Sequence, residues 1–183
     1  MFNKVLVANR GEIAVRIIRT LKKMTISSVA IYAEADEKSL HVELADESYL
    51  LEGRTVDETY LDSQQILRVA KKCQADEIIP GYGFLSENAD FVEECMAEGI
   101  TFIGPEAQHI REFGLKHLAR DYASKVGVPM IAGTELLTGK KELRAAADRI
   151  GYPVMLKSTA GGGGIGMKVC IDQEELLIPM RVW

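Results

Sequence analysis

Cysteine, tryptophan and proline are scarce in this sequence, with three, one and five of them in 183 residues. The cysteines Cys73, Cys95 and Cys170 are odd in number and far apart, and none belongs to a Cys-x-x-Cys pair. A disulfide framework and a structural zinc site are therefore not expected. Free thiols are typical of a reducing compartment, so we expect a cytoplasmic protein.

Long apolar runs and an excess of basic residues are absent as well. No segment is long enough to span a membrane, and residues 1–7 run directly into a strand pattern without the layout of a signal peptide. The formal net charge of −5 argues against nucleic acid as the main partner, because proteins that bind a phosphate backbone usually carry a basic surface. The net charge does not exclude a small polyphosphate, which needs only a local cluster of cations.

Strand-like and helix-like patterns alternate over the first 105 residues of the chain. Strand patterns fall at 4–8, 28–32, 47–51, 77–80 and 100–103, and helix patterns fall at 12–24, 38–44, 62–73 and 86–98. This alternation predicts an α/β fold with a Rossmann-like parallel sheet and helices on both faces. Asp62 and Gln65 have the spacing of a capping box, and Ser86 can cap the helix that follows it.

The carboxyl ends of the predicted strands are rich in glycine and proline. They lie at residues 9–11, 80–83 and 104–105, where parallel sheets usually bind their ligands. Tyr82, between two glycines, is either a packed aromatic residue or part of a substrate pocket. For Arg10, a structural ion pair and a ligand role are both open.

Other polar residues are interpreted without a catalytic role. The acidic run 34–37 is expected to be a solvated face, and His41 and His109 are expected to be surface or capping histidines. His117 stands beside Lys116 and is a candidate to approach a nucleotide. No arrangement of Ser, His and Asp or of Cys and His indicates a nucleophile.

The pattern changes beyond residue 105. Helix patterns at 106–113, 116–126 and 140–150 are followed by a strand, a glycine-rich loop, a second strand and a short helix. We place a domain boundary near Gly114. The predicted domains are therefore 1–113 and 114–177, and residues 178–183 form a tail without periodicity.

The loop from Lys157 to Met167 contains four adjacent glycines, 161–164. Glycine lacks a Cβ atom, so the backbone N–H groups of such a loop can converge on phosphate oxygens, and Lys157 adds a positive charge at the rim. A strand rather than a helix follows the loop, which excludes a dinucleotide-binding turn, and Met167 stands where a Walker A loop needs lysine. The pattern favours a hairpin lid over a triphosphate, with Lys116 as a second cation, rather than a flexible linker.

Four segments, in this order, resemble the start of a biotin carboxylase domain: 9–18, 80–91, 102–105 and the glycine loop. The resemblance implies the N-terminal α/β domain of that family, followed by a partial ATP-grasp small lobe that carries the glycine loop as its lid. It also implies a ligase that forms carboxybiotin from ATP, Mg²⁺ and bicarbonate, with biotin on a separate carrier domain. A carboxyltransferase domain and a homodimer are the other implied partners.

The resemblance also assigns roles to individual residues. It places the following at ATP: Lys116, Lys157, Gly161, Gly162, Gly163, Gly164, Gly166 and Met167. Tyr82 and Gly83 match positions near the biotin pocket. The family's Mg²⁺ ligands, its arginines for bicarbonate and biotin, and its general base would lie beyond residue 183. We therefore expect no catalytic residue or metal ligand in this chain, and no complete reaction from it.

Two segments, 114–120 and 152–167, look like the urea carboxylase branch of the family. Acyl-CoA and pyruvate carboxylases usually carry arginine where this chain has Ile165. Urea is therefore the expected final acceptor, with allophanate as the product. The alternatives are a biotin carboxylase of an acyl-CoA or pyruvate carboxylase, a non-catalytic folding or dimerisation module, and another ATP-grasp ligase, against which the motif at 80–91 argues.

Overall fold

The computed structural model describes residues 2–131, 133–158 and 166–178. The chain divides into two compact units, residues 1–110 and 111–183. Among the described residues, no helix combines the length and the apolar character that crossing a lipid bilayer requires.

The first unit contains a five-stranded sheet. Its strands are β1 (Lys4–Val7), β2 (Ser27–Tyr32), β3 (Glu47–Leu50), β4 (Glu77–Ile79) and β5 (Thr101–Phe102), and its helices are α1 (Gly11–Lys23), α2 (Leu40–Leu44), α3 (Ser63–Cys73) and α4 (Ala89–Ala97), with 3-10 turns at Glu34–Asp36 and Phe84–Glu87. The strand order is β3-β2-β1-β4-β5 and every pairing is parallel. The predicted α/β fold with a parallel sheet is confirmed.

Both faces of this sheet are buried. Successive residues of a strand point to opposite sides, so consecutive residues of β1 report on the two faces in turn. Val5 and Val7 pack on one side with the apolar face of α1, while Leu6 packs on the other side with residues of α3 and α4. All three side chains are fully buried. A strand that is apolar at every position is typical of a parallel sheet covered on both faces.

The predicted capping box is confirmed only in part. The Asp62 side chain accepts a hydrogen bond from the backbone N–H of Gln65 at 2.9 Å, as a helix N-cap should. The Gln65 side chain does not return to Asp62. Its amide donates instead to the carbonyls of Glu52 and Glu58, at 3.1 and 3.0 Å, and so holds the loop that follows β3.

The prediction that Ser86 caps α4 is wrong. Ser86 lies within the 3-10 turn Phe84–Glu87, and α4 begins at Ala89. Asn88 is the cap, because its Oδ1 accepts from the backbone N–H of Phe91 at 3.0 Å. The 3-10 turn connects β4 to α4, and Leu85 within it is buried.

The second unit contains helices and a two-stranded hairpin. Helix α5 (Ala107–Gly114) spans the division between the units, and the elements after it are α6 (Lys116–Lys125), α7 (Lys140–Ile150), β6 (Val154–Lys157), β7 (Met167–Cys170) and α8 (Gln173–Leu177). Strands β6 and β7 pair antiparallel, which confirms the predicted hairpin. A small core made mainly of Ala147, Cys170 and Leu176 lies beneath one face of the hairpin.

Candidate functional site

The end of β1 is tied to the loop after β4 by the side chain of Asn9. Its Nδ2 donates to the carbonyl oxygens of Pro80 and Tyr82, at 2.7 and 2.8 Å. Its Oδ1 accepts from the backbone N–H of Arg10 at 2.8 Å. Two neighbouring strand ends are thereby fixed together at the edge where the sequence predicts a ligand.

Two glycines in this loop serve different needs. Gly81 has a φ of +68°, and a Cβ atom there would lie 3.1 Å from Cγ1 of Ile13 and 3.2 Å from Nδ2 of Asn9. Gly83 has a φ of +69° but open space on its Cβ side. Gly81 therefore permits close packing against Asn9, whereas Gly83 supplies a backbone conformation that other residues rarely adopt.

Tyr82 projects from the loop between these glycines and is 59% exposed. Its hydroxyl donates to a carboxylate oxygen of Glu12, in the first turn of α1. The alternative of a tightly packed aromatic residue does not hold. The ring instead forms part of the accessible surface beside the ends of β1 and β4, and its role at biotin stays a prediction.

Arg10 forms an ion pair within the first unit. Its Nη1 lies 3.0 and 3.2 Å from the two carboxylate oxygens of Asp36. The guanidinium also lies 5.7 Å from the centroid of the Tyr60 ring. Of the two open roles for Arg10, the structural one is observed. Asp36 is not part of a solvated face, since its side chain is only 15% exposed.

Tyr60 completes this network, and sequence reasoning missed it. Its hydroxyl donates to Asp36 at 2.7 Å and accepts from the backbone N–H of Ala33 at 2.9 Å. Burial and the hydrogen bond to Asp36 raise the pKa of the Tyr60 hydroxyl well above its usual value. The ring stacks on Phe84 at 5.1 Å between centroids, which links the network to the loop that holds Tyr82. No local pattern signals a contact between residues this far apart in the chain.

His41 contradicts the interpretation of a surface or capping histidine. It is fully buried, with Nε2 at 3.3 Å from the carbonyl oxygen of Ile31. Its Nδ1 has no hydrogen-bond partner among the described residues. Burial lowers the pKa of His41 because it disfavours the charged imidazolium.

The hairpin of the second unit has one packed face and one exposed face. Val154 and Leu156 pack against the small core, while Lys157 and Met167 lie directly opposite each other on the exposed side. The backbone N–H of Ser158 donates to the carbonyl of Gly166 at 2.8 Å, which extends the pairing to the base of the glycine loop. Gly161, Gly162, Gly163 and Gly164 lie outside the described residues.

The structure places Lys116 on another element. It is the first residue of α6 and is partly exposed. Among the residues that the structure describes, neither Lys116 nor Lys157 forms an ion pair. The hairpin thus brings together Lys157, Gly166 and Met167, whereas Lys116 lies on α6 and Tyr82 and Gly83 lie in the first unit.

Two protein-family models match this chain. Residues 1–110 match the family model described as biotin carboxylase, N-terminal domain. The chain belongs to the biotin carboxylase family. Residues 116–181 match the model described as carbamoyl-phosphate synthase L chain, ATP binding domain. The family that the sequence motifs indicated is therefore confirmed.

Individual relatives agree with this result. The chain is 55% identical over 175 residues to a urea amidolyase of Lachancea kluyveri, covering 96% of this chain and 10% of that protein. It is 52% identical over 177 residues to a biotin carboxylase of Halalkalibacterium halodurans, covering 96% of this chain and 39% of the other.

Among solved structures, the biotin carboxylase domain dimer of Hydrogenobacter thermophilus 2-oxoglutarate carboxylase, in complex with MgADP, ADP and bicarbonate, matches with a TM-score of 0.92 and 45% identity. The match covers 97% of this chain and 39% of that one. The chain corresponds to part of a biotin carboxylase domain and spans well under half the length of these relatives.

Proposed function

We propose that this chain supplies part of the nucleotide site and one wall of the biotin pocket of an ATP-dependent, biotin-dependent carboxylase. The observation that carries the proposal is the outward-facing pair of Lys157 and Met167 at the base of the glycine loop. The lysine ammonium is a suitable partner for phosphate oxygens. The polarizable thioether makes favourable contacts with aromatic rings and is therefore a suitable partner for adenine. One cross-strand pair thus offers a partner for the phosphates and a partner for the adenine.

The other phosphate contacts are assigned to Lys116 and to the backbone of Gly161–Gly164 and Gly166. Fixed N–H groups and lysines stabilise negative charge on a phosphoryl group as it is transferred. When bound, ATP would supply the phosphoryl group that activates bicarbonate for transfer to biotin. The wall of the biotin pocket is assigned to Tyr82 and Gly83, which are both exposed at the carboxyl edge of the sheet.

Among the His, Cys, Asp and Glu side chains that the structure describes, no group of three or more could hold a metal ion. We therefore assign no step through Mg²⁺ to these residues. The roles proposed for this chain are binding and positioning, in domains at 1–113 and 114–177, and none of its residues is proposed to be catalytic.

Urea is the acceptor that we propose for the carboxyl group, with allophanate as product. Ile165 and the segment 157–160 support the urea branch, as does the 55% identity to a urea amidolyase. A methylcrotonoyl-CoA carboxylase subunit at 48% identity and a pyruvate carboxylase structure at 46% identity keep an acyl-CoA or pyruvate acceptor as the second candidate. A carboxylase that contains this segment with its carrier and carboxyltransferase domains should form ADP faster when urea is added. A response to an acyl-CoA or pyruvate, and none to urea, would overturn the urea assignment.

The chain on its own should bind ATP weakly and should not form ADP in response to biotin. Lys157→Gln should weaken ATP binding about tenfold or more, because one charge-assisted hydrogen bond to phosphate is lost. Calorimetric or NMR titration with ATP measures this change. Lys141→Gln is the matched control, since Lys141 is an exposed lysine on α7. Equal loss in both variants, or submicromolar affinity in the unchanged chain, would contradict the proposal.

A further inference from the structure

The loop 80–84 is anchored at its start by the side chain of Asn9, which follows β1 and lies 71 residues before Pro80 in the chain. Asn9 is only 3% exposed, and its amide nitrogen donates to two carbonyls of this loop, on Pro80 and Tyr82. Because its oxygen is engaged by the N–H of Arg10, the amide has only one orientation that satisfies all three partners. An aspartate at this position would place a carboxylate oxygen against two carbonyl oxygens.

The loop is anchored at its other end as well. Phe84 adopts a φ of +43° and stacks on Tyr60, which is itself held by Asp36 and Ala33. Between the two anchors, Gly81 packs too closely on Asn9 to accept a Cβ atom without a shift. The exposed residues Tyr82 and Gly83 therefore stand between two fixed points.

We propose that Asn9 is a positioning residue for the biotin pocket, acting through the carbonyls of Pro80 and Tyr82. This inference rests on the proposed function, which places Tyr82 and Gly83 at biotin. An exposed loop with two glycines would otherwise sample many conformations, and a ligand would have to order it on binding. The two hydrogen bonds from Asn9, called here the Asn9 clamp, order the loop before the ligand arrives. This order lowers the free-energy cost of binding.

The first arm of the test uses the chain itself. Heteronuclear ¹H–¹⁵N NOE values of Gly81, Tyr82 and Gly83 should match those of the sheet in the unchanged chain. They should fall clearly in Asn9→Asp and Asn9→Ala. Asn88→Asp is the matched control, because Asn88 uses its side-chain oxygen as an acceptor at the N-cap of α4 and aspartate keeps that acceptor. It should leave the loop values unchanged.

The second arm uses the proposed carboxylase that contains this segment. Asn9→Ala should raise the KM for free biotin about tenfold or more, since small misplacements of a binding group have effects of this size. ATP cleavage measured without biotin should keep its rate in the same variant. A role limited to folding would lower both activities together, so the split between them separates positioning from stability.

Each failure has a distinct meaning. Unchanged NOE values of the loop in both Asn9 variants would overturn the proposal that the Asn9 clamp orders it. If Asn9→Asp does not fold, Asn9→Ala and Gly81→Ala test the same contact from its two sides. A loosened loop with an unchanged KM for biotin would overturn the positioning role. Absence of biotin-dependent ADP formation in the unchanged carboxylase would overturn the proposed function instead, and the NMR result would stand apart from it.

Discussion

The two units of the chain differ in how their strands are covered. In β1 the consecutive residues Val5, Leu6 and Val7 are all fully buried, because helices pack on both faces of the parallel sheet. In β6 burial alternates, and Met155 is 49% exposed while its neighbours face the small core. The central strand of the first unit is therefore buried on both faces, whereas one face of the hairpin is exposed.

The size of the two cores follows from this difference. Two clusters of buried residues fill both sides of the sheet, but among the residues that the structure describes the core beneath the hairpin has three buried members. Hydrophobic burial is the main favourable contribution to folding, so the first unit should be the more stable one. A less stable second unit would agree with the hairpin lid that the sequence predicts.

The largest expected effect compares one buried side chain from each unit. Phe91 is fully buried against the sheet, and Phe91→Ala should lower the free energy of unfolding of the first unit by about 3 to 5 kcal/mol. Leu176→Ala should cost about 2 kcal/mol and act on the second unit, because its smaller core can collapse around the gap. Denaturant titration followed by NMR reports each unit separately. Equal loss of the sheet in both variants would contradict the comparison.

A smaller effect concerns acid stability of the first unit. The folded pKa of His41 is lowered by burial, so above its unfolded pKa of about 6.5 the neutral side chain imposes no penalty. As the pH falls through 6.5 toward the lower folded pKa, the unfolded chain takes up the proton first and stability is lost.

Between pH 7 and pH 5 the first unit should therefore lose part of its free energy of unfolding, from His41 alone. His41→Gln should flatten this dependence. His109→Gln is the control, because His109 is an exposed residue of α5, and it should leave the slope in place. A slope that persists in His41→Gln would rule out His41 as its source. Urea titrations across this pH range measure the effect.

The smallest effect compares the two faces of the hairpin. Val169 is 55% exposed, so Val169→Ala should change the stability of the second unit by less than about 1 kcal/mol. Leu156→Ala removes a side chain packed on the small core and should cost more. Thermal unfolding of the two variants measures the difference. A larger loss from Val169→Ala would mean that the exposed face is already covered by the protein itself.

Local patterns predicted most of the secondary structure. The apolar positions of α1 follow a 3.6-residue period, and the helix buries Ala14, Ile17, Ile18 and Leu21 as that period requires. The strands flanking the glycine loop were likewise recognisable, and they pair as a hairpin. The start of α4 was predicted at Ser86, whereas Asn88, two residues later, is its N-cap.

The sequence by itself determined the succession of strands and helices along the chain, the family and the position of the glycine loop, because these depend on periodicity and on motifs of neighbouring residues. Only the tertiary structure decided the partners of Asn9, the pairing of Arg10 with Asp36 and Tyr60, and the burial of His41. Asn9 and Pro80 are 71 residues apart. Their contact exists because β1 and β4 are neighbours in the sheet, and strand order is set by packing of the whole unit rather than by any local pattern.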